Sequence, residues 1–257
     1  KLYPRPRDIQ TAFVAVRDSA AAIELLARAR TASGDRVATF EWMARTGIAF
    51  VLENIPGTRD PLSQEWPEYL LIEVSSGDDD GSLRESLEEI LADAMERGEV
   101  LDATIAESRA QARDFWKLRE TIPEAQQIAG RGIKHDISIP VSAVPEFLDR
   151  ANRAVLDAAP GVKICAFGHI GDGNVHYNLN QPPDADGSAF MAQQPELNRI
   201  VHDIATDLRG SISAEHGIGI LKREELQHYK SPVALDIMRS IKQALDPDGI
   251  MNPGKVL

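Results

Sequence analysis

"KICAFGHIGDGNVHYNLN", residues 163–180, sets out a strand, a glycine turn and a second strand. The runs "KICAF" and "VHYNL" carry the β-branched and aromatic residues of strands, and "GDGN" between them is a turn signal. His169 and His176, two of only six histidines, stand seven apart with their midpoint between Asp172 and Gly173. A hairpin closed at that midpoint sets the two histidines opposite each other. Opposed residues share a face with β-carbons roughly 5 Å apart, which suits two imidazoles converging on one ion. Period two puts Asn178 on the face of His176.

Working outward, "IKHDISIP" (133–140) reads as a strand. "VSAVPEFLDRANRAVLDAA" reads as a helix with Val144, Phe147, Leu148, Ala151 and Val155 on one side. After the hairpin, "QPPDADGS" (181–188) reads as a loop. "PELNRIVHDIATDLRG" follows as a helix with Leu197, Ile200, Val201, Ile204 and Leu208 inward, and "SISAEHG" as a last strand.

The same order runs through the N-terminal half. "TAFVAV" (11–16), a helix over 18–35, "RVATFEWM", a helical "ARTGIAFVLENI", "EYLLIEVSS" (68–76), a helix from Ser82 and "EVLDATIA" succeed one another. Ser82 and Glu85 have capping-box spacing, and Leu83, Leu87, Ile90, Leu91 and Ala94 form the stripe of that helix. A long helix over about 107–128 joins the halves. The expected fold class is α+β: a duplicated ferredoxin-like arrangement (βαββαβ twice), its antiparallel sheet covered by helices. The halves fall at about 1–106 and 129–220 in one domain over 1–220. A C-terminal helical segment over 221–257 has helices near 222–229 and 232–245.

With 257 residues, 43% hydrophobic and 26% charged, the chain can build a large core. A net charge of -12 without a Lys/Arg-rich block argues against a nucleic-acid partner. No apolar run approaches the roughly 20 residues of a membrane span. Cys165 is the single cysteine, which fits a reducing compartment, so a cytoplasmic location is expected. The start, "KLYPRPRDIQ", has neither an initiator Met nor a signal-peptide core. The expectation is a chain that begins inside a longer gene product.

A second cluster of chemistry-bearing residues is "SISAEHGIGILK", where Glu215 and His216 precede a glycine turn. His169, His176 and Glu215 would make a His₂Glu set with an open position, the catalytic form of a zinc site. Zinc is the first choice for the divalent metal, and manganese or iron suits the same ligands. Lesser features have plain readings. His135 points to the face opposite Lys134, His202 is solvated, His228 closes a helix, and "GDDDG" (77–81) is a turn.

Taken together, "GHIGDGNVHYNL", "SAEHGIGILK" and "LDPDGIMNPGKVL" resemble the C-terminal substrate or cap domain of FAD-linked oxidases of the vanillyl-alcohol oxidase superfamily. The resemblance is greatest to the dehydrogenases of D-2-hydroxy acids such as D-lactate and D-2-hydroxyglutarate. It spans essentially the whole chain. It implies FAD as cofactor, held mostly by an N-terminal FAD-binding domain of the same gene product. It places metal ligands on His169, His176 and Glu215, a substrate contact on Asn178 and the catalytic base on His216. It puts carboxylate-binding groups on Arg119 and Lys134, and Asn252 near the flavin. Pro123 stands where a family Thr helps bind the five-carbon diacid, so the implied substrate class is the broader one of small 2-hydroxy acids. A homodimer is compatible with the resemblance, and the electron acceptor is left open.

The implied chemistry is coherent. A metal on the hydroxyl oxygen stabilises a developing alkoxide. His216 takes the hydroxyl proton, and hydride passes to the flavin. Arg119 and Lys134 recognise the carboxylate, the Arg fork bidentately. The alternatives are a flavin oxidase of the same superfamily on another alcohol or acid, and a free-standing, non-catalytic metal-binding ferredoxin-like module.

Overall fold

Runs of apolar residues in β1 (Asp8–Val16), β2 (Val37–Ala44) and β3 (Glu68–Ser76) put both faces of the central strands out of water. Only a sheet covered on both sides satisfies such strands. A computed structural model of the chain describes residues 5–257. It shows a mixed α/β fold on one open sheet of eight strands, completed by β4 (Val100–Ile105), β5 (Gly132–Ile133), β6 (Asp136–Ser138), β7 (Lys163–Gly168) and β8 (Asn174–Asn180). Every pairing is antiparallel, in the order β4-β1-β3-β2-β7-β8-β5, with β6 also on β8. The halves meet at the β2–β7 pairs Trp42↔Gly168 and Met43↔Phe167.

Two cores result. One face carries α1 (Ser19–Ser33), α3 (Ser82–Glu96), α6 (Val144–Ala158) and α8 (Gln194–Asp207), and its core runs across both halves from Ala12 to Tyr177 and Ala205. The other face carries α2 (Arg45–Asn54), α4 (Arg109–Glu120) and α5 (Ile122–Ala129). Its core is smaller, and β7 enters it only through Cys165 and Phe167. On this second face β8 presents His176, Asn178 and Asn180 instead of apolar side chains. That is where a polar site can form at the edge of a core. A short α7 (Gly187–Ala192), α9 (Arg223–Tyr229) and α10 (Pro232–Leu245) complete the elements.

The predicted buried stripes of α3 and α6 are the buried residues of those helices. Several local expectations change. The expected single helix over 107–128 is two, broken at Thr121, because Pro123 cannot donate a backbone bond and starts α5 near its first position. No capping box forms at α3. Its N-cap is Gly81, and Asp80 accepts from the backbone and hydroxyl of Ser82 instead. Part of the expected loop 181–188 opens α7, capped by Asp186. "SISAEHG" is not a strand: it joins β6 through one bridge, Ser138↔Ser211, and through Ala214 N–H to Asp136 O. His202 is buried rather than solvated, with Nδ1 3.2 Å from Glu225 Oε2.

The hairpin register is the most consequential correction. Phe167, not His169, faces His176. His169 instead begins the connection between β7 and β8. Within this connection Gly173 packs tightly against the backbone of Ile139. It has φ +80°, and an added Cβ would sit 1.8 Å from the Ile139 carbonyl oxygen. Gly173→Ala is therefore expected to destabilise the protein by about 3 kcal/mol or more. A lowered urea midpoint at unchanged slope checks it.

Candidate metal and substrate site

The site is assembled by strand register. By period two, Glu41 shares the face of Met43 on β2 and His169 the face of Phe167 on β7. These two residues stand one step beyond the last paired position, Trp42↔Gly168. On the next strands, Phe167 pairs with His176 and His176 with Asp136. Glu41, His169, Phe167, His176 and Asp136 thus line one sheet face in a row, although they come from four strand segments.

Glu215 reaches this row from the turn after the Ser211 bridge. Its Oε1 is 3.5 Å from His169 Nδ1 and its Oε2 is 3.7 Å from His176 Nε2. The histidines predicted to share an ion do converge, but through Glu215 and not by facing each other across the hairpin. Each imidazole turns its second nitrogen to a buried carboxylate. His169 Nε2 is 3.2 Å from Glu41 Oε1, and His176 Nδ1 is 3.5 Å from Asp136 Oδ1. A histidine with one nitrogen toward an acid and the other toward a prospective ion is the usual preparation of a metal ligand. His169, His176 and Glu215 offer the donor types a divalent cation takes, though their ligand atoms are more spread than those of Asp136, His176 and His216, which lie within 4.8 Å of one another.

Asp136 organises the segment that brings Glu215 in. Its side chain is 2% exposed. Oδ2 accepts from the backbone N–H groups of Ala214, Glu215 and His216, at 3.2, 2.8 and 2.8 Å. Oδ1 accepts from Asn174 Nδ2 at 2.9 Å. Burial works to raise the Asp136 carboxyl, but the bonds from His216 N–H, Asn174 and Glu215 N–H outweigh it and hold the group below the usual carboxylate range. At His176, burial disfavours the imidazolium more than Asp136 favours it, so the ring is held below its ordinary pKa and stays neutral, as a ligand must be. His216 Nδ1 lies 3.8 Å from Asp136 Oδ2, and its ring stacks on His176 with centroids 5.8 Å apart. Asp136, His176 and His216 thus form a second possible ligand group sharing His176.

Arg119 is half-buried on α4. Its Nε donates to Glu41 Oε2 at 2.7 Å, and its guanidinium lies over the Phe167 ring, 4.8 Å from the centroid. Lys134 is exposed in the break between β5 and β6, two residues before Asp136. Asn178 is buried in a different network. Its Oδ1 accepts from His135 N–H and its Nδ2 donates to Gln126, which ties α5 to β8. Asn252 is exposed in the C-terminal segment, with φ 46°. That segment is fastened to residues 217–223 through Val256 N–H to Gly219 O and Arg223 to Gly254 O. The contacts that build the histidine cluster involve neither Asn178 nor Asn252.

Sequence reasoning missed Glu41 and Asp136. For Glu41 a signal was available: it is a lone acid among apolar residues in "TFEWMA", and acids are almost never buried without a partner; Asp136, in "KHDISI", has polar neighbours and gave none. His135 lies on the other face as expected, with Nδ1 2.8 Å from Tyr177 O. Burial pushes its pKa down to about 4.

Comparison with known proteins adds the family. The profile of "FAD linked oxidases, C-terminal domain" matches residues 5–256. The chain is 36% identical over 254 residues to D-2-hydroxyglutarate dehydrogenase of Arabidopsis thaliana, covering 99% of this chain and 44% of that protein. It is 36% identical over 222 residues to D-2-hydroxyglutarate dehydrogenase of Stutzerimonas stutzeri, covering 84% and 46%. It therefore spans less than half the length of these relatives. Among solved structures, p-cresol methylhydroxylase with substrate bound superimposes at a TM-score of 0.66 with 12% identity, covering 99% of this chain and 54% of that one. A 4-ethylphenol oxidase from Gulosibacter chungangensis superimposes at 0.64 with 16% identity, covering 100% and 55%. At such identities the likeness is one of fold. With a profile match over nearly all its residues and a row of histidines and acids where the fold leaves a polar face, this chain belongs to the family of FAD-linked oxidase C-terminal domains.

Proposed function

We propose that the chain is the substrate- and metal-binding part of an FAD-dependent dehydrogenase that oxidises a D-2-hydroxy acid to the 2-oxo acid. The observation that carries this reading is the convergence of His169 and His176 on Glu215 with Arg119 beside them. It supports reading these residues as cation ligands and a carboxylate-binding cation on one sheet face. The names of the relatives support the substrate class. When bound, FAD would supply the hydride acceptor, and a divalent metal, zinc by preference, would be held by His169, His176 and Glu215 and would supply Lewis-acid stabilisation of the substrate oxygen.

The chain's own residues do the rest. Arg119, with Nε committed to Glu41, offers its terminal nitrogens to the substrate carboxylate, and Lys134 adds a second positive charge. His216, stacked on His176, takes the hydroxyl proton. Asn178 stiffens the strand behind the site. Residues 221–257 pack on an N-terminal FAD-binding domain, with Asn252 near the flavin. Supporting this, Val233, Ile237, Ile241 and Leu245, spaced by four on α10, are all exposed. An isolated apolar stripe of that size marks an interaction surface. The order β4-β1-β3-β2 in the first half, mirrored by Ser211-β6-β8-β7 in the second, supports two ferredoxin-like halves. No helix among the described residues is long and apolar enough to cross a membrane.

The test is steady-state kinetics of the full gene product on D-lactate, D-2-hydroxyglutarate and D-malate. Arg119→Ala is expected to raise KM by the equivalent of roughly 1.5–3 kcal/mol, with a smaller effect on kcat, because a ground-state carboxylate contact is uniform binding. His216→Asn is expected to do the opposite, since proton removal belongs to the transition state. An unchanged KM for every acid oxidised by Arg119→Ala defeats the carboxylate assignment.

A further inference from the structure

Glu41 stands between the two halves of the proposed site. Its side chain is 10% exposed, and that of its partner Arg119 is 12% exposed. Most other ion pairs among the described residues include a far more exposed member. Burying an Arg–Glu pair this deeply is poorly repaid in stability. A pair retained at such depth beside a cluster of histidines calls for another explanation.

The geometry supplies one. The two oxygens of Glu41 do different work. Oε2 accepts from Arg119 Nε at 2.7 Å, and Oε1 lies 3.2 Å from His169 Nε2. The first contact, with the Phe167 ring beneath the guanidinium, fixes the plane of the Arg119 fork. It occupies the Nε edge and leaves the terminal nitrogens for a carboxylate. The second contact turns His169 Nε2 to Glu41, so that Nδ1 faces Glu215, 3.5 Å away, with Asp172 Oδ2 at 3.8 Å. One carboxylate thus touches both the carboxylate-binding cation and a histidine that faces the prospective ion, and is placed to orient both.

We propose that Glu41 is a positioning residue that couples divalent-metal binding at His169 to carboxylate recognition at Arg119. This rests on the metal-assisted reading of the site. It adds that the two subsites share one buried acid, so a defect in that acid appears in both. An acid that only neutralised Arg119 would act on substrate binding alone. One that only held the fold would act on neither once the protein is folded.

The experiment compares wild type, Glu41→Gln and Arg119→Ala in the full gene product. The readouts are zinc affinity by competition with a chelator, KM for the 2-hydroxy acid, and the thermal unfolding midpoint. Glu41→Gln keeps the side-chain shape but puts an amide against two donors. It is expected to weaken zinc binding 10- to 100-fold and to raise KM several-fold. Arg119→Ala is expected to raise KM while zinc affinity stays within about twofold of wild type. Glu41→Asp keeps the charge but shortens the reach, so it is expected to restore at most one of the two readouts. It also covers the case in which the amide variant does not fold. Wild-type zinc affinity in Glu41→Gln overturns the coupling, as does equal zinc loss in Arg119→Ala or full recovery of both readouts in Glu41→Asp. A wild-type protein that binds neither zinc nor manganese nor ferrous iron takes down the metal reading itself and this coupling with it. That result differs from normal wild-type binding with an unaffected Glu41→Gln.

Discussion

Replacing His176 with alanine is expected to reduce bound divalent metal to less than about one-tenth of the wild-type content and to lower kcat/KM on the 2-hydroxy acid on the order of 10³-fold. The size follows from how His176 is placed. It is the one residue common to both ligand groups, His169 with Glu215 and Asp136 with His216. An ion held by either arrangement loses a donor, and no other imidazole is placed to replace it in both. A Lewis acid on a developing alkoxide is worth several kcal/mol, and each 1.4 kcal/mol is about a factor of ten in rate. Elemental analysis beside steady-state kinetics checks this. His228→Ala, an exposed histidine on α9, serves as the control. Equal metal in His176→Ala and wild type removes the assignment.

Asp136→Ala is expected to lower stability by about 3 kcal/mol and to release residues 213–217. The carboxylate of Asp136 accepts three consecutive backbone N–H groups and the Asn174 amide. A hydrogen bond to a charged group is worth about 1.5–3 kcal/mol. The four are not additive, because water reaches the freed turn, where Glu215 and His216 are exposed. Hydrogen exchange is expected to quicken at the amides of 214, 215 and 216 before it does elsewhere. The pH dependence has a definite sign. The folded carboxyl is held below its unfolded value. Its contribution is therefore fully present above about pH 4 and is lost as pH falls through the folded value. Asp136→Asn should flatten the acid limb of the stability curve in that window. An acid limb unchanged in Asp136→Asn, with amide exchange at 214–216 also unchanged, would falsify this role.

Much of the architecture was legible in the amino-acid order. The stripe Leu83, Leu87, Ile90, Leu91, Ala94 and the stripe Val144, Phe147, Leu148, Ala151, Val155 have helical period, and both are buried as read. Burial drives both, and the spacing of apolar residues is enough to express it. Where a local rule met a competing bond it gave way. Ser82 and Glu85 have capping-box spacing, yet Asp80 reached the Ser82 donors first, from two residues away. His202 lies off the apolar stripe of α8, but α9 packs over it through Arg199, Glu225 and Tyr229, a contact that no periodicity on α8 announces.

For the site, residue types alone marked His169, His176, Glu215 and His216 as a group, because glycine turns and adjacent histidines and acids are uncommon without a chemical use. What residue order could not supply was how they meet. The midpoint rule set His169 against His176. The folded hairpin instead pairs Phe167 with His176, and Gly173 packs its backbone against Ile139 inside the connection. Convergence was then left to Glu215, carried on a turn whose position depends on Asp136. Glu41 and Asp136 precede the histidines they face by 128 and 40 residues (169 − 41 and 176 − 136). Only strand pairing across the β2–β7 junction and along β6–β8 makes them neighbours. Periodicity reports which residues leave water, a property of each segment by itself. Which buried acid faces which imidazole is set by register between segments, and that is decided only when the whole sheet closes.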